Sequence, residues 1–332
     1  MNEKIKIIML GGTGSGKTCY MLAMYAAMQM GRHGFTISTV DPDENVRLNN
    51  LWENLIGTQG RDRWPEGTIE IKNYIFEFTE GLNSSIIFEW LDYRGGAMSE
   101  EATNNEVAEL RRHIAESSGF FLCISGEDLR YPITDNSLVE VMVKTKARFM
   151  TDYLVQHGKN ISREDRQYFP VIITITKFDL CYHRTHSELI EDIKRIFPPL
   201  FNLNSHWFVM ICPVTLGISL AQNGDTGKIF PQNIHFPLIF ALYCQLAKIG
   251  KLKEERLNED KEIIDDWFEQ NFFIRLFQSR KNREISDLEN KIEEIENSLG
   301  KIDNLLMRIV KELNDTEANI YFNGTEVGIL MI

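Results

Sequence analysis

At 332 residues the chain has room for one large domain with an appendage, or for two small domains. A formal net charge of −12 argues against a general nucleic-acid binder, because neutralising phosphates takes clustered Lys and Arg. Its 43% hydrophobic and 25% charged content are those of an ordinary globular protein. No apolar run reaches the roughly 18 residues that would suggest a membrane span. The five cysteines (Cys19, Cys123, Cys181, Cys212, Cys244) lie far apart, with no C-x-x-C pair, and read as small core residues of a reducing compartment. With an N-terminus that passes directly into a strand, the expected location is cytoplasmic.

The first strand, over 5–10, runs into Gly11-Gly12-Thr13-Gly14-Ser15-Gly16-Lys17-Thr18 and then a helix over 19–30. Glycine, four residues and Gly-Lys-Thr between a strand and a helix make a phosphate-binding loop. The glycines let the backbone curl around a triphosphate, Lys17 meets the β- and γ-phosphates, and the Thr18 hydroxyl takes Mg²⁺. The helix presents its positive end to the same anion. The expected phosphate contacts are Gly11, Gly14, Ser15, Gly16, Lys17, Thr18 and Cys19. Met21, Leu22, Tyr25, Met28 and Gln29 fall at helical spacing and read as a core face.

An extra helix is expected over 41–55, then a polar stretch with Arg61, Arg63, Trp64 and Pro65. A hairpin follows, with strands over 68–79 and 86–91. From there helices over 98–116, 136–156, 187–197 and 236–249 alternate with apolar strands over 119–125, 169–176 and 207–212. That pattern predicts an α/β domain over 1–250, its sheet mostly parallel and flanked by helices on both faces. Ligands of such sheets sit beyond the carboxyl ends of the strands.

Over 251–317 the composition shifts to Glu, Asp, Lys, Ile and Leu. Ile285, Leu288, Ile292, Ile295, Leu299, Ile302, Leu306, Ile309 and Leu313 keep heptad spacing, which predicts a coiled coil. It pairs either within the chain against 251–278 or with a second copy. Trp267, Phe268, Phe272, Phe273 and Phe277 cluster before it, to dock it on the first domain or, alternatively, to meet a protein partner or a membrane surface. The tail, 318–332, carries a hairpin signal at Asn323-Gly324.

Thr176-Lys177-Phe178-Asp179, after an apolar strand, points to the base. Guanine displays two parallel donors that one carboxylate, Asp179, accepts, whereas adenine presents an acceptor there. Earlier in the chain, Asp92-Tyr93-Arg94-Gly95 is a D-x-x-G at a strand end. This order of motifs resembles the TRAFAC-class, Ras-like GTPases, whose guanine motif is Asn/Thr-Lys-x-Asp. The resemblance implies a Ras-like P-loop domain binding GTP or GDP with Mg²⁺. The metal would be held by Thr18, Asp92 and a first-switch threonine, favoured as Thr68 with Thr58 as runner-up. The Gly95 N–H would sense the γ-phosphate, and Val214 and Thr215 would contact the base. Thr176 replaces the commoner Asn, and a weaker tether to the phosphate loop is expected from it.

Where Ras-like proteins carry the glutamine that orients water, this chain has Gly96. Slow hydrolysis is therefore expected, with Lys17, Thr68, Gly95 and Arg94 as the catalytic set and Arg61 and Arg63 as further cis arginines. A scaffold that never turns over and a P-loop ATPase are the rivals. The GGTGSGKT start, the R-W-P-E-G-T stretch at Arg63 and the D-x-x-G-G ending resemble the bacterial double-GTPase families of conflict-type systems. That likeness implies a regulatory GTPase acting on protein partners, in defence; through the coiled coil the expected partner is a second GTPase, an effector or, as a homodimer, a second copy of the chain.

Overall fold

The computed structural model describes residues 5–31, 34–67, 71–80, 83–93, 104–218, 220, 226–269, 279–314, 316 and 318–328, with the backbone alone at 83–85, 104, 267–269 and 279–282. Among these, nine strands form one sheet in the order β2-β3-β4-β1-β5-β6-β7-β8-β9. The strands are β1 (Ile5–Gly11), β2 (Phe35–Thr39), β3 (Lys72–Glu80), β4 (Asn83–Asp92), β5 (Gly119–Ser125), β6 (Pro170–Thr176), β7 (Phe208–Pro213), β8 (Asn319–Phe322) and β9 (Thr325–Val327). β4, β1, β5, β6 and β7 run parallel, and the pairs β2–β3, β3–β4, β7–β8 and β8–β9 are antiparallel. The architecture is the expected α/β one, mostly parallel at its centre and flanked by helices. Every residue of β5, β6 and β7 is buried, which is why those strands are continuous apolar runs rather than alternating ones.

The helices divide between two faces. One face carries α1 (Lys17–Gln29), α9 (Phe236–Glu269) and the C-terminal half of α10 (Ser279–Leu313); their Met21, Met24, Phe240 and Ile309 share one buried cluster with Trp90 and Phe121 of the sheet. The opposite face carries α3 (Asn104–Ala115), α5 (Ala147–Asn160) and α7 (His186–Ile196), through Leu110, Met150, Leu154 and Ile193. α2 (Pro42–Gly57) starts on an Asp41 cap with Pro42 at its first turn. No helix among the described residues is long and apolar enough to cross a membrane.

Three features differ from the sequence reading. The helix expected over 136–156 is two, α4 (Asp135–Lys144) and α5, because Thr145 ends the first and Lys146 turns left-handed at φ 62°. The helix expected to stop at 249 continues to Glu269, so the boundary placed at 250 falls inside one helix. β2 was not expected; its Phe35, Ile37 and Thr39 alternate inward, but five residues between helices give a faint signal.

Of the two pairings open to the heptad stripe, the structure contains the one within the chain. Gly250 lies against Ile302, Lys253 bonds Ser298, and Lys261 pairs with Glu296, so α9 and α10 run antiparallel. Ile302, Leu305, Ile309 and Leu313 are buried against the domain, each contributing about 1.5–3 kcal/mol of apolar burial. Arg308 also pairs with Glu80 and covers the Phe35 ring. The aromatic positions 270–278 lie outside the described residues, as do the side chains of Trp267 and Phe268.

Candidate functional site

The carboxyl ends of β1, β4, β5, β6 and β7 open on one edge of the sheet. A cavity of about 570 Å³ sits over that edge. Thr13, Gly14, Gly16, Lys17, Thr18 and Cys19 line it from the β1–α1 loop, and Thr176, Lys177 and Asp179 from the end of β6. Val214 and Thr215 line it from the end of β7, so most of the expected ligand contacts meet in one space. Gly11 and Ser15 stand behind the wall, where their carbonyls receive hydrogen bonds from Lys17 and Thr176.

The loop takes its shape from glycine. Gly16 is left-handed at φ 87° and forms the N-cap of α1 without any side-chain cap, the arrangement in which a helix end serves as an anion site. Lys17 is 6% exposed, and its Nζ donates to the carbonyls of Gly11 (2.9 Å) and Gly12 (3.1 Å). Burial pulls its ammonium below the ordinary lysine range, against the opposing charges of Cys123 and Asp92. Beside it, Cys19 is pushed up to about 12 by burial, so its thiol stays protonated.

Thr18 Oγ1 donates to Asp92 Oδ2 at 2.8 Å, and Asp92, the last residue of β4, is fully buried. A hydroxyl and a carboxylate held together beside the phosphate loop are hard oxygen donors of the kind Mg²⁺ takes, so these residues fit that ion. Thr68, Arg94, Gly95 and Gly96 lie outside the described residues. The runner-up Thr58 caps α2, with its hydroxyl on Asn54 Oδ1, and does not line the cavity.

Thr176 does not leave the loop untethered. Its Oγ1 donates to the Ser15 carbonyl at 2.6 Å in a buried setting. Cys123 Sγ reaches the same carbonyl at 3.1 Å. Lys177 is left-handed at φ 49° and pairs with Glu127 at 3.3 Å. Gly126 permits this approach, because a Cβ there would stand 2.5 Å from the Lys177 carbonyl. Asp179 is 2% exposed, and Thr215 Oγ1 donates toward its Oδ1 at 3.5 Å. A carboxylate so placed keeps acceptor capacity for donors arriving from the cavity.

Sequence reasoning missed part of the wall. Glu127 and Arg130 line the cavity from the turn after β5, the one parallel strand whose carboxyl end was not read for function. That turn is pinned from below. Arg184 and Asp192 form a buried pair at 2.8 Å; Arg184 also donates to the Leu129 carbonyl, and Asp192 accepts from the Ile133 N–H. Trp64, Pro65, Glu66 and Gly67 cover another side. Of the cis arginines proposed from sequence, Arg61 is exposed, whereas Arg63 is buried with Nη1 on the Gly227 carbonyl at 2.8 Å.

No protein-family profile matches this chain, and no curated protein matches it in sequence. Among solved structures it is similar to S. thermophilus NFeoB bound to GDP and AlF4−, at 12% identity and a TM-score of 0.32, over 92% of this chain and 99% of that one. It is also similar to the S. cerevisiae Ski7 GTPase-like domain bound to GTP, at 13% identity and a TM-score of 0.30, over 64% of this chain and 42% of that one. Likeness of this degree carries no argument about what the chain binds; its own residues must carry that argument.

Proposed function

We propose that this chain binds GTP with Mg²⁺, hydrolyses it slowly to GDP and phosphate, and acts as a regulatory switch on protein partners. The observation that carries the reading is one cavity with a phosphate loop along one wall and the buried Asp179 carboxylate, steadied by Thr215, on another. Two parallel donors on guanine suit that carboxylate, and the N1 acceptor of adenine does not.

The roles follow from position. Gly14, Gly16 and the start of α1 bind the phosphates, and Lys17 exchanges the Gly11 and Gly12 carbonyls for phosphate oxygens, a better match for a buried ammonium. Thr18 and Asp92 would hold Mg²⁺, which when bound neutralises charge on the β- and γ-phosphates. Thr176 keeps the loop in register with the base reader. Asp179 orients the base, and Lys177 lies along it.

Thr68 and Gly95 are assigned to the γ-phosphate, and Arg94 to transition-state charge, on sequence order alone. Gly96 offers no side chain to orient water, so unaided turnover no faster than the intrinsic rate of such enzymes, on the order of 10⁻⁴ per second, is the expectation. The same glycine favours a second reading, a GTP-bound scaffold. The R-W-P-E-G-T stretch supports a place among double-GTPase conflict systems, with the helical extension as the partner surface. Single-turnover phosphate release on the full chain separates the readings. Loss of GTP above the uncatalysed rate, abolished by Lys17→Ala, supports the enzyme; intact GTP that stays bound supports the scaffold; no GTP binding at all refutes both.

A further inference from the structure

An arginine 2% exposed in a three-residue surface turn is unusual, because burying a guanidinium is costly unless its N–H groups are satisfied. Its neighbours Arg61 and Asp62 are both exposed. Arg63 instead donates to a carbonyl 164 residues away in sequence, Gly227, at 2.8 Å, while the four residues that follow it line the cavity. The same guanidinium lies 5.9 Å from the centre of the Trp64 ring, and Trp64 begins the segment that covers the cavity.

Shortly after its acceptor, the described residues 230–233 are tied back to the end of β7. Thr215 and Gln232 exchange backbone hydrogen bonds of 3.3 and 2.9 Å, the Phe230 N–H donates to Leu216, and Asn233 Nδ2 donates to Pro213. Thr215 is also the residue that bonds Asp179. The loop ends at His235, paired with Glu312 of α10 at 3.0 Å. The Arg63–Gly227 bond therefore joins the segment that covers the cavity to the stretch leading into Gln232, the partner of Thr215.

We infer that Arg63 is a positioning residue that latches the 61–67 segment over the cavity by docking on Gly227, and so sets how fast bound nucleotide leaves. This rests on the nucleotide reading of the cavity. The latch acts on the cover and leaves base recognition to Asp179, so its loss speeds release without changing which base is preferred. A buried hydrogen bond from a charged donor corresponds to roughly a ten- to hundredfold change in rate when the bond must break for release.

The test is dissociation of N-methylanthraniloyl-GDP from the full chain, chased with excess GDP. Arg63→Met keeps most of the stem and removes the donors; it should release the probe roughly ten- to hundredfold faster. Arg63→Lys should fall between that variant and wild type. Preference for GDP over the xanthine analogue should not move. Hydrogen exchange should rise in 61–67 and 226–232 and stay unchanged in β1 and β6. A wild-type release rate in Arg63→Met overturns the inference, as does exchange that rises equally across the whole sheet. Should Arg63→Met not fold, Arg63→Gln takes its place with the same outcomes. A wild-type chain that never holds the probe refutes the nucleotide reading itself, and the latch with it.

Discussion

Removing the hydroxyl of Thr176 isolates the tether between phosphate loop and base reader. Thr176→Val keeps the β-branched shape that a buried strand end needs and deletes one donor, leaving the Ser15 carbonyl with the Cys123 thiol at 3.1 Å. Loss of a buried partner costs about 1–3 kcal/mol, and the remaining weak thiol donor places this case in the lower half, about 1–2 kcal/mol. The bond is present before any ligand arrives, so the cost divides between fold stability and the preorganisation of the loop. If it all fell on stability, the melting temperature would drop by roughly 1–3 °C for a chain of 332 residues. If it all fell on the loop, GDP affinity would drop by roughly five- to thirtyfold. Calorimetric melting together with titration of GDP measures both shares. Thr176→Ser, which restores the hydroxyl, should recover most of the loss. Wild-type stability and wild-type affinity in Thr176→Val would refute the tether.

Asp179→Asn replaces an acceptor with a mixed donor and acceptor, so the chain should lose guanine by roughly 10² to 10⁴-fold and gain xanthine, whose position 2 is a carbonyl; competition between GDP and XDP reads both changes. His157 is buried between Phe120 and Phe169, and neither of its ring nitrogens has a hydrogen-bond partner among the described residues. Burial lowers its pKa from 6.5 to about 4, so the unfolded chain takes up the proton first as pH falls. Its contribution is intact above pH 6.5 and is lost progressively down to about 4, a change of about 3 kcal/mol at most. Urea unfolding across that window should show the slope, and His157→Phe should flatten it. Lys17→Ala should abolish phosphate release and weaken GTP at least as much as GDP, measured by nucleotide retention on the purified chain.

The central strands were legible because a strand buried on both faces is a continuous apolar run, and β5 was read to the residue. The break at Thr145 was not legible. Helical spacing continues through it from Val141 and Met142 to Ala147 and Met150, and a left-handed lysine announces nothing in sequence. Heptad spacing showed a stripe but not its partner, because pairing depends on the reach of α9 past Gly250 and on the docking of Ile302 to Leu313 against the domain.

At the site, residues of fixed chemistry in fixed order were readable: the phosphate loop, Asp92, Thr176 and Asp179. The Glu127–Arg130 turn, Trp64 and the Arg63–Gly227 bond were not. Their roles arise from long-range approach of loops, which local sequence does not record.

The claim on which the rest depends is that the cavity reads guanine. Competition of GDP and ADP for the purified chain, with Mg²⁺ present, measures it directly. GDP should displace a bound fluorescent nucleotide at least roughly 10²-fold better than ADP, because Asp179 accepts from one base and faces an acceptor on the other. Equal affinities for the two would contradict the account.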